Sequence, residues 1–154
     1  VGAIPSPFDC YLLTRSIKTL SVRMKQHNEN AIAVSNYLSN HPKIEKVFFP
    51  GTDKRHKEIA EKQMDGFGGM MSFVIDSDIN GVKTFLKNLN LFTLAESLGG
   101  VESLIEHPAI MTHASIDPSI REKLGISETL LRISVGIEDV DDLISDLDQA
   151  LSKI

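Results

Sequence analysis

One arginine, Arg132, stands in the middle of a short apolar segment whose side chains alternate in character. Leu131 and Ile133 flank it, and residues 131–135 have the period of two that is typical of a strand with one buried face. The guanidinium is therefore expected to project from the opposite face. Its paired N–H donors match the two oxygens of a carboxylate, which predicts a carboxylate-binding role. An exposed strand residue or a structural ion pair is the alternative, and spacing alone does not decide between them.

A second chemically rich segment runs from Ala95 to Ile116 without a convincing helix or long strand. Loops of this length are uncommon inside compact domains and tend to be functional. We therefore expect a ligand to be bound or positioned here. The polar and conformationally special residues of the segment are Ser97, Gly99, Gly100, Glu102, His107, Pro108, Thr112 and His113.

Four isolated features have weaker chemical interpretations. The Gly-Phe-Gly-Gly run at 66–69 precedes a strand rather than a helix, which favours a backbone turn over a phosphate cradle.

His107 and His113 lack metal-ligand spacing, so they are expected to be packing, capping or surface residues, and no metal site is predicted. Ser97 lies outside any G-x-S-x-G elbow, which argues against a catalytic triad. Cys10, on a predicted helix, is expected to be a buried structural thiol.

Composition narrows the class of protein. The 154 residues are 42% hydrophobic and 24% charged, as in ordinary globular domains. The net charge of −5 argues against nucleic acid or an anionic membrane as a partner. No apolar run approaches the roughly 20 residues of a membrane span, and no signal peptide is evident. A single cysteine excludes an internal disulfide and favours a reducing, cytoplasmic location.

Alternating helices and strands are predicted to position these residues. The apolar spacing over residues 13–38, after Ser6-Pro7, indicates one long amphipathic helix or two nearly continuous ones. Further helices are predicted at 54–64, 82–89, 118–124 and 140–151, and strands at 43–49, 70–75 and 131–135. The pattern predicts an α/β (α+β) layered domain, with one sheet of about four strands and helices packed on it.

Three long motifs occur in a fixed order, at 95–104 (AESLGGVESL), 108–114 (PAIMTHA) and 131–138 (LRISVGIE). With the segments at 6–20 and 66–70, they resemble the C-terminal domain of the Cys/Met metabolism family of pyridoxal-phosphate (PLP)-dependent enzymes. The resemblance covers essentially the whole chain and implies the PLP-dependent transferase-type fold, preceded by the long N-terminal helix.

Within that family the subfamily is less sharply indicated. Residues 92–115 are most similar to those of cystathionine γ-lyases, although cystathionine γ-synthases share much of the stretch. Cystathionine β-lyases and methionine γ-lyases use the same scaffold and stay open as alternatives. A non-catalytic interaction module of related fold is the alternative from another class.

The resemblance implies roles for four residues. Arg132 would bind the α-carboxylate of an amino-acid substrate, and Ser97 would lie beside it, near the lysine to which the family attaches PLP. Glu96 would lie at the distal end of the substrate, and Thr112 would line the same pocket. Because Arg132 projects away from the core, its truncation is expected to lower activity while the melting temperature stays nearly unchanged.

The resemblance also implies a division of the chain. Residues 1–25 would be the end of the large PLP-binding domain with its linking helix, and residues 26–154 the C-terminal domain. No segment here resembles the PLP-lysine motif, and Lys18 belongs to a helical motif instead. This chain is therefore expected to hold no covalent cofactor and no catalytic residue, and to be inactive alone. The intact enzyme would be a PLP-dependent lyase and a homotetramer, with this chain packed on its own N-terminal domain.

Overall fold

The computed structural model describes residues 2–53 and 56–154, and these form six helices and five strands. The helices are α1 (Pro7–Ile17), α2 (Leu20–Ser39), α3 (Lys57–Gln63), α4 (Ile79–Lys87), α5 (Pro118–Lys123) and α6 (Val140–Leu151). The strands are β1 (Ile44–Phe48), β2 (Met70–Ile75), β3 (Thr93–Leu94), β4 (Leu104–Glu106) and β5 (Leu130–Ser134). Within the described residues, no helix is both long and apolar enough to cross a membrane.

All predicted elements are present; β2 and α6 have the predicted bounds, and the ends of the others are shifted. The helix predicted at 54–64 begins at Lys57, and residues 54 and 55 lie outside the described residues. The sheet has five strands, where about four were predicted. β3 and β4 are too short to give a periodic signal in the sequence. Gly68 has a φ of 72°, in the left-handed region that favours glycine, and β2 follows two residues later. The predicted turn at 66–69 is therefore confirmed.

One mixed sheet organises the fold, in the order β1-β2-β5-β4-β3. Its neighbours are antiparallel, except that β3 and β4 run parallel. On the central strand, Arg132 is paired with Ser72 of β2 and with Glu106 of β4. Directly opposite residues share a face of a sheet, so these three side chains lie together on one side.

The other face of the sheet carries the hydrophobic core. Leu131 and Ile133 of β5, and Val135 directly after it, have 0% exposure, as the period of two predicts. Full burial of an aliphatic side chain contributes roughly 1.5–3 kcal/mol. The rest of the core comes from β2, β4 and the helices, and its main members are Ala31, Val34, Leu38, Met71, Phe73, Ile75, Val82, Phe85, Ile105, Leu143, Leu147, Ala150 and Leu151. The helices α2, α4 and α6 therefore cover this face.

The predicted N-terminal helical region consists of two helices, with a break at Lys18 and Thr19. Ser6 caps α1 by accepting from the backbone N–H of Asp9, and Pro7 occupies the first helical position. No residue of α1 is buried, so its apolar side chains are exposed to solvent. Cys10 is exposed as well. The prediction of a buried thiol is wrong, because α1 lies outside the core.

From His27 onward, α2 packs against the sheet and is fastened to the end of β5. His27 is 5% exposed, and its Nδ1 lies 2.7 Å from the carbonyl oxygen of Val135. Since a carbonyl can only accept, Nδ1 carries the proton. Asn30 donates to the carbonyl oxygens of Gly136 at 3.0 Å and Glu138 at 2.8 Å. His27, the polar residue that interrupts the apolar spacing of this helix, is thus buried and joins α2 to the end of β5 by a hydrogen bond.

Asp146 of α6 holds the connection between α4 and β3. It is 5% exposed and accepts the backbone N–H groups of Asn90 and Leu91 at 2.8 Å and of Phe92 at 3.2 Å. Burial by itself would raise the pKa of Asp146. The backbone donors at 90–92, with Gln149, outweigh burial and hold that pKa below its usual value of 3.8.

Because the pKa of Asp146 is lowered in the folded state, the free energy of unfolding depends on pH in the acidic range. A carboxyl whose pKa is lower in the folded than in the unfolded state stabilises the fold fully above its unfolded pKa. That contribution is lost as the pH falls below 3.8 and through the folded pKa. We expect Asp146→Asn to lower the free energy of unfolding at neutral pH and to flatten its decline in acid. Urea titrations of both proteins between about pH 7 and pH 3 measure this, and equal slopes would contradict it.

The exposed α1 leads to a second expectation, on assembly. Phe8, Tyr11 and Leu13 are 67%, 60% and 69% exposed. Removal of residues 1–17 should shift the melting temperature by less than about 4 °C, since none of residues 2–17 is buried. It should also reduce concentration-dependent association, because an apolar surface is removed. Thermal melts and sedimentation velocity over a concentration series test both points, and a large drop in melting temperature would show that α1 contributes to packing.

Candidate functional site

Arg132 lies on the sheet face opposite the core and forms an ion pair there. Its Nη2 contacts Oε2 of Glu106, the residue directly opposite on β4. The side chain of Glu106 is 1% exposed and that of Arg132 is 25% exposed. Since Nη2 itself is buried, the exposed part of Arg132 lies away from Glu106. Nη2 is thus engaged with Glu106, and the exposed quarter of the side chain belongs to its other atoms.

Thr112 joins the same carboxylate from the long segment after β4. Its Oγ1 donates to Oε1 of Glu106, and it lies 2.8 Å from Nδ1 of His113. The threonine proton is used on the carboxylate, so His113 donates to the hydroxyl oxygen. Glu106 therefore links Arg132 to Thr112, which are two of the four residues predicted to bind substrate.

The loop that carries Ser97 and Glu96 is attached to the same side of the sheet. Ser134 lies two residues beyond Arg132 on β5, so both side chains are on one face. The hydroxyl of Ser134 accepts the backbone N–H of Gly99 at 2.9 Å. Ser97 and Glu96 are themselves exposed to solvent. The structure thus brings the loop close to the site, and in the described residues it joins neither side chain to Arg132 by a hydrogen bond.

A second set of polar contacts fixes the end of that loop. Ser103 donates from its backbone N–H and its hydroxyl to the carboxylate of Glu138, at 2.6 and 2.9 Å. The same hydroxyl accepts the N–H of Gly136 at 2.8 Å. A Cβ at Gly136 would overlap the carbonyl oxygen of Val101, so glycine permits this close approach. These contacts hold residues 101–103 against the chain that follows β5.

His107 has a packing role. It has 0% exposure, and its Nε2 donates to the carbonyl oxygen of Glu128 at 2.8 Å. Of the packing, capping and surface roles predicted for this histidine, the structure shows packing. Among the residues that the structure describes, no three His, Cys, Asp or Glu side chains come together as metal ligands.

Sequence reasoning missed Glu106, Ser134 and Glu138. The three residues of β4 are all buried and show no alternation of apolar and polar side chains, so the strand could not be predicted from its sequence. Ser134 was visible as a polar neighbour of Arg132 on the same face. No local signal marks Glu138, whose partner Ser103 is distant in sequence.

The site offers a guanidinium whose N–H donors suit a carboxylate, while the hydroxyl of Thr112 is already bonded to Glu106 and His113. Covalent attachment of PLP requires a lysine amine instead. In the described part of the chain, no lysine forms a hydrogen bond or ion pair with Arg132, Glu106 or Thr112. The residues present therefore suit a carboxylate ligand rather than the covalent attachment of PLP.

Comparison with known proteins decides the family. A family model described as Cys/Met metabolism PLP-dependent enzyme matches residues 1–152. The chain belongs to the Cys/Met metabolism family of PLP-dependent enzymes. It is 55% identical to a cystathionine γ-lyase of Dictyostelium discoideum, over 99% of this chain and 40% of that protein. It is 53% identical to a cystathionine β-lyase of Coxiella burnetii, over 98% of this chain and 39% of that protein.

A solved structure confirms the fold. The chain superposes on a cystathionine γ-synthase from Xanthomonas oryzae pv. oryzae, in complex with aminoacrylate and cysteine, with a TM-score of 0.90 and 47% identity. The match covers 96% of this chain and 38% of that one. The predicted family and the predicted layered fold of a PLP-dependent enzyme are thus confirmed, and the chain spans less than half the length of these relatives.

The ion pair changes what truncation of Arg132 is expected to do within this family member. Arg132→Ala leaves the carboxylate of Glu106 buried without its cation, and breaking a buried pair from one side costs about 3–5 kcal/mol. The melting temperature is therefore expected to fall rather than stay unchanged. Glu106→Gln should cost less, because Arg132 is the more exposed partner and glutamine keeps a side-chain oxygen that can accept from Nη2.

A double-mutant cycle tests this asymmetry. Chemical denaturation of Arg132→Ala, Glu106→Gln and the double variant gives the coupling free energy of the pair. We expect the double variant to be more stable than Arg132→Ala alone, since it contains no buried uncompensated charge. Additive losses would show that the two side chains do not depend on each other.

Proposed function

We propose that this chain is the substrate-carboxylate-binding part of a PLP-dependent lyase that converts cystathionine to cysteine, ammonia and 2-oxobutanoate. The observation that carries the proposal is Arg132, a partly exposed side chain paired with Glu106 on the sheet face opposite the core. Its support from relatives is the name cystathionine γ-lyase, given to proteins 55% and 57% identical to this chain.

Arg132 supplies the geometry that carboxylate binding requires. Its strand is paired on both sides, so the backbone from which it projects is fixed. A charge-assisted contact with a substrate carboxylate is worth about 1.5–3 kcal/mol, and a planar guanidinium also sets the direction of the ligand. Orientation matters for catalysis, because the bond to be broken must be aligned before it reacts.

The remaining predicted residues act around this anchor in the proposal. Thr112 lines the same pocket in the proposal, next to the Glu106 carboxylate that its hydroxyl contacts. Ser97 lies on the loop fastened at Gly99, near the cofactor linkage, and Glu96 on the same loop contacts the distal end of the substrate. PLP, when bound, supplies the electron sink for proton loss from the substrate. Its covalent attachment is proposed to lie in the longer protein, since this chain spans 40% of a γ-lyase relative.

The proposed domain division follows the burial pattern. Residues 1–25 are assigned to the end of the large domain and its linking helix, and Val1 lies outside the described residues. The support is that α1 has no buried residue, whereas α2 packs on the sheet from His27 onward. Residues 26–154 form the C-terminal domain. In the proposal this domain packs on its own N-terminal domain within a cytoplasmic homotetramer.

A related activity on the same scaffold is the second candidate. A cystathionine β-lyase 53% identical and a cystathionine γ-synthase 47% identical to this chain support it. All these activities need an anchor for an amino-acid carboxylate, so the Arg132 site itself does not separate them. The distinction must come from the product.

Assays of the full-length protein test both levels of the proposal. We expect cysteine release from cystathionine to exceed cystathionine formation from an activated homoserine. Arg132→Ala should lower kcat/KM per folded enzyme by roughly tenfold to several hundredfold, through lost carboxylate binding. Arg132→Lys should recover only part of the loss, because an ammonium cannot match both carboxylate oxygens.

Different results would contradict the assigned reaction and the proposed role of Arg132. Dominant cystathionine synthesis would replace the γ-lyase assignment with a γ-synthase and leave the carboxylate site intact. Normal kcat/KM in folded Arg132→Ala would instead remove Arg132 from the substrate site, whichever reaction the enzyme performs.

A further inference from the structure

Glu106 occupies an unusual position for a carboxylate. It is 1% exposed and lies on β4, yet both of its oxygens are engaged on the polar face of the sheet. Oε2 meets Arg132 and Oε1 accepts from Thr112. Two partners on two different oxygens fix the plane of the carboxylate. Its burial also keeps it from contacting a substrate directly.

We infer that Glu106 is a positioning residue of the carboxylate site, which holds Arg132 and Thr112 in the orientation that the substrate requires. The inference rests on the proposed role of Arg132. Glu106 engages Nη2, so rotation of the guanidinium would break the buried ion pair, and the other nitrogens of the group keep a constant direction. The hydroxyl of Thr112 is oriented by the same carboxylate.

A purely structural role gives a poorer account of this residue. A buried ion pair is often replaceable by apolar side chains without loss of stability, so packing alone does not require a charge here. The neighbouring Leu104, 5% exposed on the same strand face, shows that an apolar side chain fits on this side of β4. The carboxylate instead stands where it can contact two proposed substrate-site residues at once.

The negative charge of Glu106 helps to predict which kinetic constant changes when the charge is removed. Its negative charge also opposes a substrate carboxylate brought to Arg132, so removing it both relieves repulsion and loses orientation. These effects act in opposite directions on substrate affinity, whereas only the loss of orientation affects the chemical step. We therefore expect the change to appear mainly in kcat.

Steady-state kinetics of the full-length holoenzyme test the inference. Glu106→Gln should lower kcat per folded enzyme by about tenfold to a hundredfold, with KM within about threefold of the wild type. Arg132→Ala should raise KM itself. Asp146→Asn is the matched control: it changes a buried carboxylate that binds backbone at 90–92, and its kcat per folded enzyme should be unchanged.

Glu106→Asp adds a conservative variant that keeps the charge. It should recover part of the kcat lost in Glu106→Gln, and it replaces that variant if the glutamine protein does not fold. If Glu106→Gln does not fold, a kcat of Glu106→Asp reduced by more than about threefold supports the inference. A kcat of Glu106→Asp equal to that of the wild type overturns it.

The outcomes separate the inference from the function on which it rests. If Arg132→Ala leaves KM and kcat unchanged, the proposed carboxylate site itself is wrong. If Arg132→Ala raises KM while Glu106→Gln and Asp146→Asn behave alike, Arg132 binds substrate without help from Glu106, and only the inference fails.

Discussion

The backbone at the C-terminal end of β5 is buried, and its polar groups need partners away from water. On the core side, α2 supplies them, because His27 donates to Val135 and Asn30 donates to Gly136. On the other side, Ser103 accepts from Gly136. This one requirement ties a helix, the central strand and the long loop together. The position of the candidate site depends on it, since Arg132 lies on the same strand.

The two faces of the sheet have different roles, one in folding and the other in the proposed binding. One face is apolar and covered by helices, and it supplies most of the stabilising burial. The other face carries the ion pair of Arg132 and Glu106, with loops over it. A side chain on a central strand is held more precisely than one on a loop, which suits a residue that must orient a ligand. Placing the site on the core sheet gives it that rigidity without disturbing the core.

Membership of the Cys/Met metabolism family gives a physical reason for the exposed apolar residues of α1. A helix with no buried residue gains nothing from tertiary packing within this chain. Its side chains would be covered in a longer protein, and this chain spans 40% of one γ-lyase relative. The proposed linking role of residues 1–25 accounts for both observations. The same proposal explains why regular packing begins only at His27.

The sequence by itself determined the elements whose periodicity is long enough to read, such as β2, β5 and α6, and the face from which Arg132 projects. Its ordered motifs also determined the family. Only the tertiary structure placed Glu106 against Arg132, buried His27, and left α1 outside the core. The reason is that periodicity reports which face of an element is apolar, whereas strand pairing decides which distant residues become neighbours. A three-residue strand such as β4 carries too little pattern for its partner to be read from local sequence.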